Sequence, residues 1–236
     1  MINDRLIVAL DLDDVDAARR LVDALGDDAT FYKIGMWLLF QPAAHGLVDE
    51  LVASGRRVFL DYKMYDIGET VRHGVASVAR RGATFLTVHG DPGILEAAVA
   101  GAAGSGLGIL AVSVLTSLDD AALHAMGYAM GARDLVPLRV RAAAAAGCAG
   151  VIASPADHPD ALREASGKPD LLVVTPGIRM ADDPAGDQRR TGTPADAIAQ
   201  GADYIVVGRP ITRAAAPRDR VKQIADEMGR GLARRG

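Results

Sequence analysis

Eight times along the chain a short run of β-branched and apolar residues gives way to a stretch in which apolar positions recur with helical spacing. The runs are Leu6–Leu10, Phe31–Gly35, Val58–Lys63, Phe85–His89, Gly108–Leu115, Gly150–Ser154, Leu171–Pro176 and Tyr204–Gly208. The helical stretches are Val15–Leu25, Gly46–Ser54, Glu69–Arg81, Ile94–Ala102, Leu135–Ala146, Ala161–Ala165, Pro194–Gln200 and Arg218–Arg230. Gly55, Gly82, Gly147 and Gly201 fall at or just past the ends of such stretches, where a left-handed residue ends a helix at least cost. Leu171-Leu172-Val173-Val174 and Ile205-Val206-Val207 are nearly unbroken apolar runs, as expected of strands covered on both faces. Eight units in 236 residues leave about 29 residues each, short but sufficient for a closed (β/α)8 TIM barrel. The expected architecture is one such barrel domain over residues 1–236. A doubly wound open sheet would want a glycine-rich turn after the first strand, and Asp11-Leu12-Asp13-Asp14 is the opposite. No linker, low-complexity tract or exact repeat divides the chain, and residues 101–108 read as a loop.

Composition narrows the function classes. With 50% apolar and 24% charged residues the chain is that of a folded protein, and its length buries roughly 70–75% of the unfolded surface without disulfides or a structural metal. The single cysteine, Cys148, has no partner within the chain, fits a reducing compartment and reads as a small buried residue. The net charge of −4 arises from 26 basic and 30 acidic residues spread along the chain, so no basic stripe points to nucleic acid. Arg230, Arg234 and Arg235 read as a solvated helix end. The start Met1-Ile2-Asn3-Asp4-Arg5 lacks a signal-peptide pattern, and no apolar run approaches the roughly 20 residues that span a bilayer, which gives the expectation of a cytoplasmic chain with no membrane partner. His45, His124 and His158 lack ligand spacing, so no metal site is expected. His73 lies on a helical stretch. His89, at the end of its strand, either makes a structural hydrogen bond or lines a pocket. Asp13, Asp14 and Asp16 suit the start of the first helix, and Trp37 reads as packing or subunit interface.

In a barrel of this kind the C-terminal strand ends and the loops after them carry the chemistry. Asp11 follows the first run, Lys33 lies in the second, Asp61 and Lys63 end the third, and Asp66 follows. Two residues apart on an extended strand, Asp61 and Lys63 would emerge on one face about 6.6 Å apart along the chain. Asp61-Tyr62-Lys63-Met64-Tyr65-Asp66 is then either a surface ion-pair loop or a charged cluster at the barrel mouth, and the buried-type run Arg57-Val58-Phe59-Leu60 before it favours the mouth. Acidic neighbours keep an ammonium protonated, the form a general acid needs. Farther on, Thr175-Pro176-Gly177-Ile178-Arg179 closes the seventh strand and Val207-Gly208-Arg209-Pro210 the eighth. Glycine at a strand end lets an anion reach backbone N–H groups, an adjacent arginine can pair with it, and the loops after strands seven and eight are the usual phosphate site of the fold.

Together these segments resemble the orotidine 5'-phosphate decarboxylase family. The likeness runs from Val8-Ala9-Leu10-Asp11 to Val207-Gly208-Arg209-Pro210-Ile211-Thr212, through Tyr32-Lys33-Ile34-Gly35, the Asp61–Thr70 block, Val114-Leu115-Thr116-Ser117, Thr175–Arg179 and Gly186-Asp187-Gln188. The DxKxxD core is shared with other decarboxylases of the superfamily; the later segments are more specific. The resemblance implies decarboxylation of orotidine 5'-monophosphate to UMP, with no cofactor. It implies that Lys63 protonates C6, that Asp61 sits beside the substrate carboxylate, and that Asp11 and Lys33 bind the ribose hydroxyls. Thr116 would contact the pyrimidine edge and Pro176 would adjoin the substrate. Gln188 would bridge base and phosphate, and Arg179, Gly208 and Arg209 would hold the phosphate. Residues 180–193 would close as a lid. Asp66, Ile67 and Thr70 would act in the neighbouring subunit's site, making the working unit a homodimer with shared active sites.

One departure stands out: the family's Asp-Ile-Pro-Asn-Thr is here Asp66-Ile67-Gly68-Glu69-Thr70. The Asp-x-Gly resembles the magnesium-dependent 3-keto-L-gulonate 6-phosphate decarboxylase and hexulose-6-phosphate synthase, which leave Gln188 and the Thr-Pro-Gly-Ile-Arg run without a role. A non-catalytic nucleotide-binding barrel would have no need to retain all of Lys33, Asp61, Lys63 and Asp66.

Overall fold

The computed structural model describes residues 2–183 and 191–235. Its strands are β1 (Leu6–Ala9), β2 (Phe31–Gly35), β3 (Arg57–Met64), β4 (Phe85–His89), β5 (Gly108–Val112), β6 (Gly150–Ile152), β7 (Leu172–Thr175) and β8 (Tyr204–Val207). All pair in parallel with their sequence neighbours, and β1 closes the barrel on β8 with Leu6 opposite Ile205 and Val8 opposite Val207. Around it lie α1 (Val15–Leu25), α2 (Met36–Leu39), α3 (Ala44–Ala53), α4 (Gly68–Ala79), α5 (Pro92–Ala102), α6 (Asp120–Ala125), α7 (Ala132–Ala145), α8 (Pro159–Ser166), α9 (Pro194–Ala199), α10 (Arg209–Thr212) and α11 (Pro217–Arg235).

The expected (β/α)8 barrel is present, with shifted boundaries. β5 stops at Val112: Ser113 and Val114 stay buried although they have left the strand, so an apolar run here marks the barrel mouth as well as the sheet. The short α2, α6 and α10 span four to six residues, too few for helical periodicity to reveal. The loop expected over residues 101–108 is confined to 103–107, because α5 continues to Ala102 and β5 begins at Gly108. Asp14 caps α1, its carboxylate accepting the Ala17 N–H at 2.6 Å. The glycine stop after α9 is steric as well as conformational: Gly201 has φ +101°, and a Cβ there would collide with the Asp160 carboxylate.

The arginine tail is an exposed helix end, as expected, and two of its side chains also make ion pairs. Arg234 reaches Asp196 at 3.2 Å and Arg235 reaches Asp160 at 3.0 Å, each in the first turn of another helix. Such exposed pairs contribute about 0–1 kcal/mol apiece.

Two apolar layers flank the sheet. The outer one packs strands against helices; the inner one is Ile7, Ala9, Phe31, Phe59, Phe85, Leu110, Val174 and Val206. Phe59 on β3 and Phe85 on β4 are register partners and Phe31 on β2 joins them inside the barrel, with ring centroids 5.6 Å (Phe31–Phe85) and 6.3 Å (Phe59–Phe85) apart. Burying each ring contributes roughly 1.5–3 kcal/mol. Side chains alternate along a strand, so the next inward positions above these rings are Lys33, Asp61 and Thr87. The hydrophobic plug is the floor on which the polar residues stand.

Candidate active site

At the C-terminal end of the barrel the strand ends enclose a cavity of about 400 Å³ lined by Asp11, Lys33, Asp61, Lys63, Thr116, Pro176, Arg179, Gly208 and Arg209 among others. Nine residues singled out from the sequence therefore converge on one space. The charges form a chain. Lys33 Nζ donates to Asp11 Oδ1 at 2.8 Å and lies 3.5 Å from Asp61 Oδ2, while Lys63 Nζ lies 2.8 Å from Asp61 Oδ1.

Ionisation follows from this alternation. Burial pushes the Asp61 carboxyl up, but the ammonium groups of Lys33 and Lys63 and the Thr87 hydroxyl outweigh it and leave the carboxyl below its ordinary value. Burial likewise pulls Lys33 down, and Asp61 and Asp11 more than restore it, so it titrates above its ordinary value. The depressed Asp61 contributes stability above the usual carboxylate range and loses it as pH falls through its folded value. The raised Lys33 contributes below the usual lysine range and loses it as pH rises through its own. The Lys33–Asp61 contact is thus charged across the neutral range.

Asp61 and Lys63 do not meet by simple alternation along an extended strand. Leu60 pairs with Leu86 and Met64 with Val88, so Asp61, Tyr62 and Lys63 stand opposite the single residue Thr87. The strand bulges, and Lys63 takes φ +48°, in the region that disfavours side-chain-bearing residues and costs about 1–3 kcal/mol. Thr87, fully buried, donates its hydroxyl to Asp61 Oδ1 at 2.8 Å and accepts the Lys63 N–H at 3.0 Å. In the sequence Thr87 is an ordinary β-branched strand residue.

The opposite wall is cationic. Arg179 and Arg209 line the cavity after β7 and β8. The segment bearing Arg179 is pinned at its base: Arg179 N–H donates to Gly192 O at 3.0 Å, and Gly192 N–H to Gly177 O at 3.2 Å. Gly186, Asp187 and Gln188 lie outside the described residues, as does half of the expected lid over 180–193.

Three further residues differ from expectation or were not anticipated. Trp37 lines the cavity and donates Nε1–H to Leu12 O at 2.9 Å, so its place is at the site mouth as well as on the surface. Gly35 ends β2 where a Cβ would come within 2.7 Å of Asp11 Oδ1 and 3.1 Å of Lys33 Nζ; any side chain would push that pair apart. His89, expected either to make a structural hydrogen bond or to line a pocket, packs its ring edge-on against Tyr65 with centroids 5.0 Å apart and is not among the residues lining this cavity; burial lowers its pKa.

Asp66, Ile67 and Thr70 are exposed and do not line the cavity of their own chain. Ile67, 72% exposed, is the residue before α4, and Gly68 opens the helix at a position where proline is also favoured. The departure from Pro therefore falls at a helix start whose fixed φ proline would only have pre-set. Cys148 is fully buried, and burial pushes its thiol up to about 12. Among the described residues no group of three or more His, Cys, Asp or Glu is placed to hold a metal ion, and no helix is long and apolar enough to cross a membrane.

A family model described as "Orotidine 5'-phosphate decarboxylase / HUMPS family" matches residues 4–224. An orotidine 5'-phosphate decarboxylase of Rhodopseudomonas palustris (strain HaA2) is 51% identical over 225 residues, 95% of this chain and 94% of the relative. One from Caulobacter vibrioides (strain NA1000 / CB15N) is 50% identical over 228 residues, 95% of this chain and 97% of the relative. Among solved structures, orotidine 5'-phosphate decarboxylase from Lactobacillus acidophilus superposes with a TM-score of 0.82 at 35% identity, covering 94% of this chain and 98% of that one.

Proposed function

The chain belongs to the orotidine 5'-phosphate decarboxylase / HUMPS family and decarboxylates orotidine 5'-monophosphate to UMP in pyrimidine biosynthesis; from that premise we propose that Lys63 delivers the proton and that the charged chain beneath it organises the reaction. The observation that carries this reading is the Asp11–Lys33–Asp61–Lys63 series facing Arg179 and Arg209 across one cavity.

Breaking the bond from C6 to the carboxylate releases CO2 and leaves the electron pair on C6, where it takes a proton from the Lys63 ammonium. Asp11 and Lys33 bind the ribose hydroxyls, Thr116 meets the pyrimidine edge, Pro176 walls the ring, and Arg179, Gly208 and Arg209 hold the phosphate. Gln188, outside the described residues, bridges base and phosphate. Repulsion between Asp61 and the substrate carboxylate at 4 Å amounts to about 4 kcal/mol at an effective dielectric of 20, roughly a thousandfold in rate. A difficult decarboxylation needs on the order of 20 kcal/mol. The larger share therefore belongs to the ammonium placed where negative charge develops, and Asp61 serves chiefly by holding that ammonium.

Absorbance tests the reading directly: the ultraviolet spectrum of orotidine monophosphate should change to that of UMP on adding the protein, equally with and without a chelator. No change would sink it. Loss of activity in chelator would favour the magnesium-dependent sugar-phosphate relatives, to which Asp66-Ile67-Gly68 is similar; against them, both Asp61 oxygens are already engaged by lysines.

The working unit in this reading is a homodimer whose Asp66, Ile67 and Thr70 complete the partner's site. Their exposure, together with that of Tyr65 at 67% and Phe40 at 82%, supports it. Mixing Lys63→Ala and Asp66→Ala chains, each inactive alone, should restore about a quarter of parent activity, because half the dimers then carry one intact site of two. No recovery after subunit exchange would place Asp66 in its own chain's site.

A further inference from the structure

We propose that Thr87 is the positioning residue that holds Lys63 in its working geometry, a role that rests on Lys63 being the proton donor. The hydrogen bonds close a ring. The Lys63 N–H donates to Thr87 Oγ1 at 3.0 Å, the Thr87 hydroxyl donates to Asp61 Oδ1 at 2.8 Å, and the same oxygen lies 2.8 Å from Lys63 Nζ. One hydroxyl thus fixes residue 63 at both ends, through its backbone directly and through its ammonium by way of the carboxylate.

The bulge explains why such a clamp is needed. Three residues of β3 face one of β4, so regular ladder bonds cannot hold the backbone between Leu60 and Met64. Lys63 sits at φ +48°, a conformation a lysine keeps only when its surroundings impose it. Thr87 supplies an acceptor for the N–H stranded by the bulge and, being a hydroxyl, can donate onward at the same time. Neither valine nor alanine can do this, whereas serine can. Thr87 is fully buried beneath Asp61 and does not line the cavity, so it acts through Asp61 and Lys63 rather than on the substrate.

Thr87→Val keeps the shape and removes the hydroxyl; Thr87→Ser keeps the hydroxyl and removes a methyl. With orotidine monophosphate, Thr87→Val should lower kcat on the order of 10–100-fold, as expected for a misplaced reacting group, while KM stays within about threefold because the phosphate contacts are untouched. Thr87→Ser should keep kcat within about threefold of the parent. In the crystal structure of Thr87→Val, Lys63 should leave the positive-φ region and its ammonium should part from Asp61. The proposal is overturned if Thr87→Val retains parent kcat, if serine and valine lose kcat alike, or if Lys63 keeps its conformation and its Asp61 contact in the valine variant. A parent chain inert toward orotidine monophosphate would instead count against the decarboxylase reading, and the crystallographic comparison then decides the role of Thr87 alone.

Discussion

Lys63→Ala should lower kcat for orotidine monophosphate by at least about 10⁴-fold while UMP still binds with nearly parent affinity. Two losses combine in that one change. In the proposed mechanism the proton donor to C6 disappears, and so does the cation closest to the developing negative charge. Neither affects the far wall, where Arg179 and Arg209 line the cavity and, in the proposed reading, hold the nucleotide phosphate. The fold should survive, because the Lys63 side chain is about a third exposed and Asp61 keeps Lys33 within 3.5 Å. Turnover followed by absorbance at high enzyme concentration, with UMP affinity from calorimetry, separates the two effects. Activity above about 1% of the parent would remove Lys63 from the acid role, since general acid catalysis alone contributes 10²–10⁴-fold.

Arg179 and Arg209 stand across the cavity from a lysine that is itself held by the barrel floor, so in the proposed reading phosphate binding and proton transfer rest on different strands. The floor is set by β2, β3 and β4, whose inward positions rise from Phe31, Phe59 and Phe85 to Lys33, Asp61 and Thr87. That layering was largely legible in the sequence. A lysine two residues after Phe31, and an aspartate two residues after Phe59, interrupt apolar runs where only an inward-facing polar group would be tolerated. Gly55, Gly82 and Gly147, all at positive φ, likewise marked where helices stop.

What was hidden is the part that depends on register. Strand pairing between β3 and β4 is a relation between distant segments, and nothing local in Asp61-Tyr62-Lys63 announces that three residues will face one. Thr87 was invisible for the same reason: in Phe85-Leu86-Thr87-Val88 a threonine is a good strand former, and only the bulge turns its hydroxyl into a clamp. Trp37 and Gly35 were missed because their function is spatial. An exposed tryptophan reads as interface until its ring is found at the cavity mouth, and a strand-end glycine reads as a turn until the Asp11–Lys33 pair is seen to fill the space a Cβ would take.

Removing the phosphate from the substrate should reduce kcat as well as affinity. The nucleoside orotidine retains every atom that Lys63, Asp61, Lys33 and Asp11 touch in the proposed complex, so a site that used phosphate only for capture would turn it over at the parent rate once saturated. A phosphate dianion held by two arginines has charge-assisted contacts of roughly 1.5–3 kcal/mol each, together about 10²–10⁴-fold in kcat/KM. How that divides is the informative quantity. If the energy were expressed equally in ground and transition states it would appear only in KM. Arg179 is tied through its backbone to Gly192, just before α9, and Arg209 begins the helix that follows β8, so anchoring the phosphate fixes the ring relative to two rigid strand ends. An anchored ring holds C6 against the Lys63 ammonium; an unanchored one samples poses in which proton and carbanion are too far apart. The expected result is therefore a kcat for orotidine at least about tenfold below that for the nucleotide, with the remainder of the loss in KM. A saturating rate equal to that of orotidine monophosphate would show that the phosphate site captures substrate and contributes nothing to the chemical step.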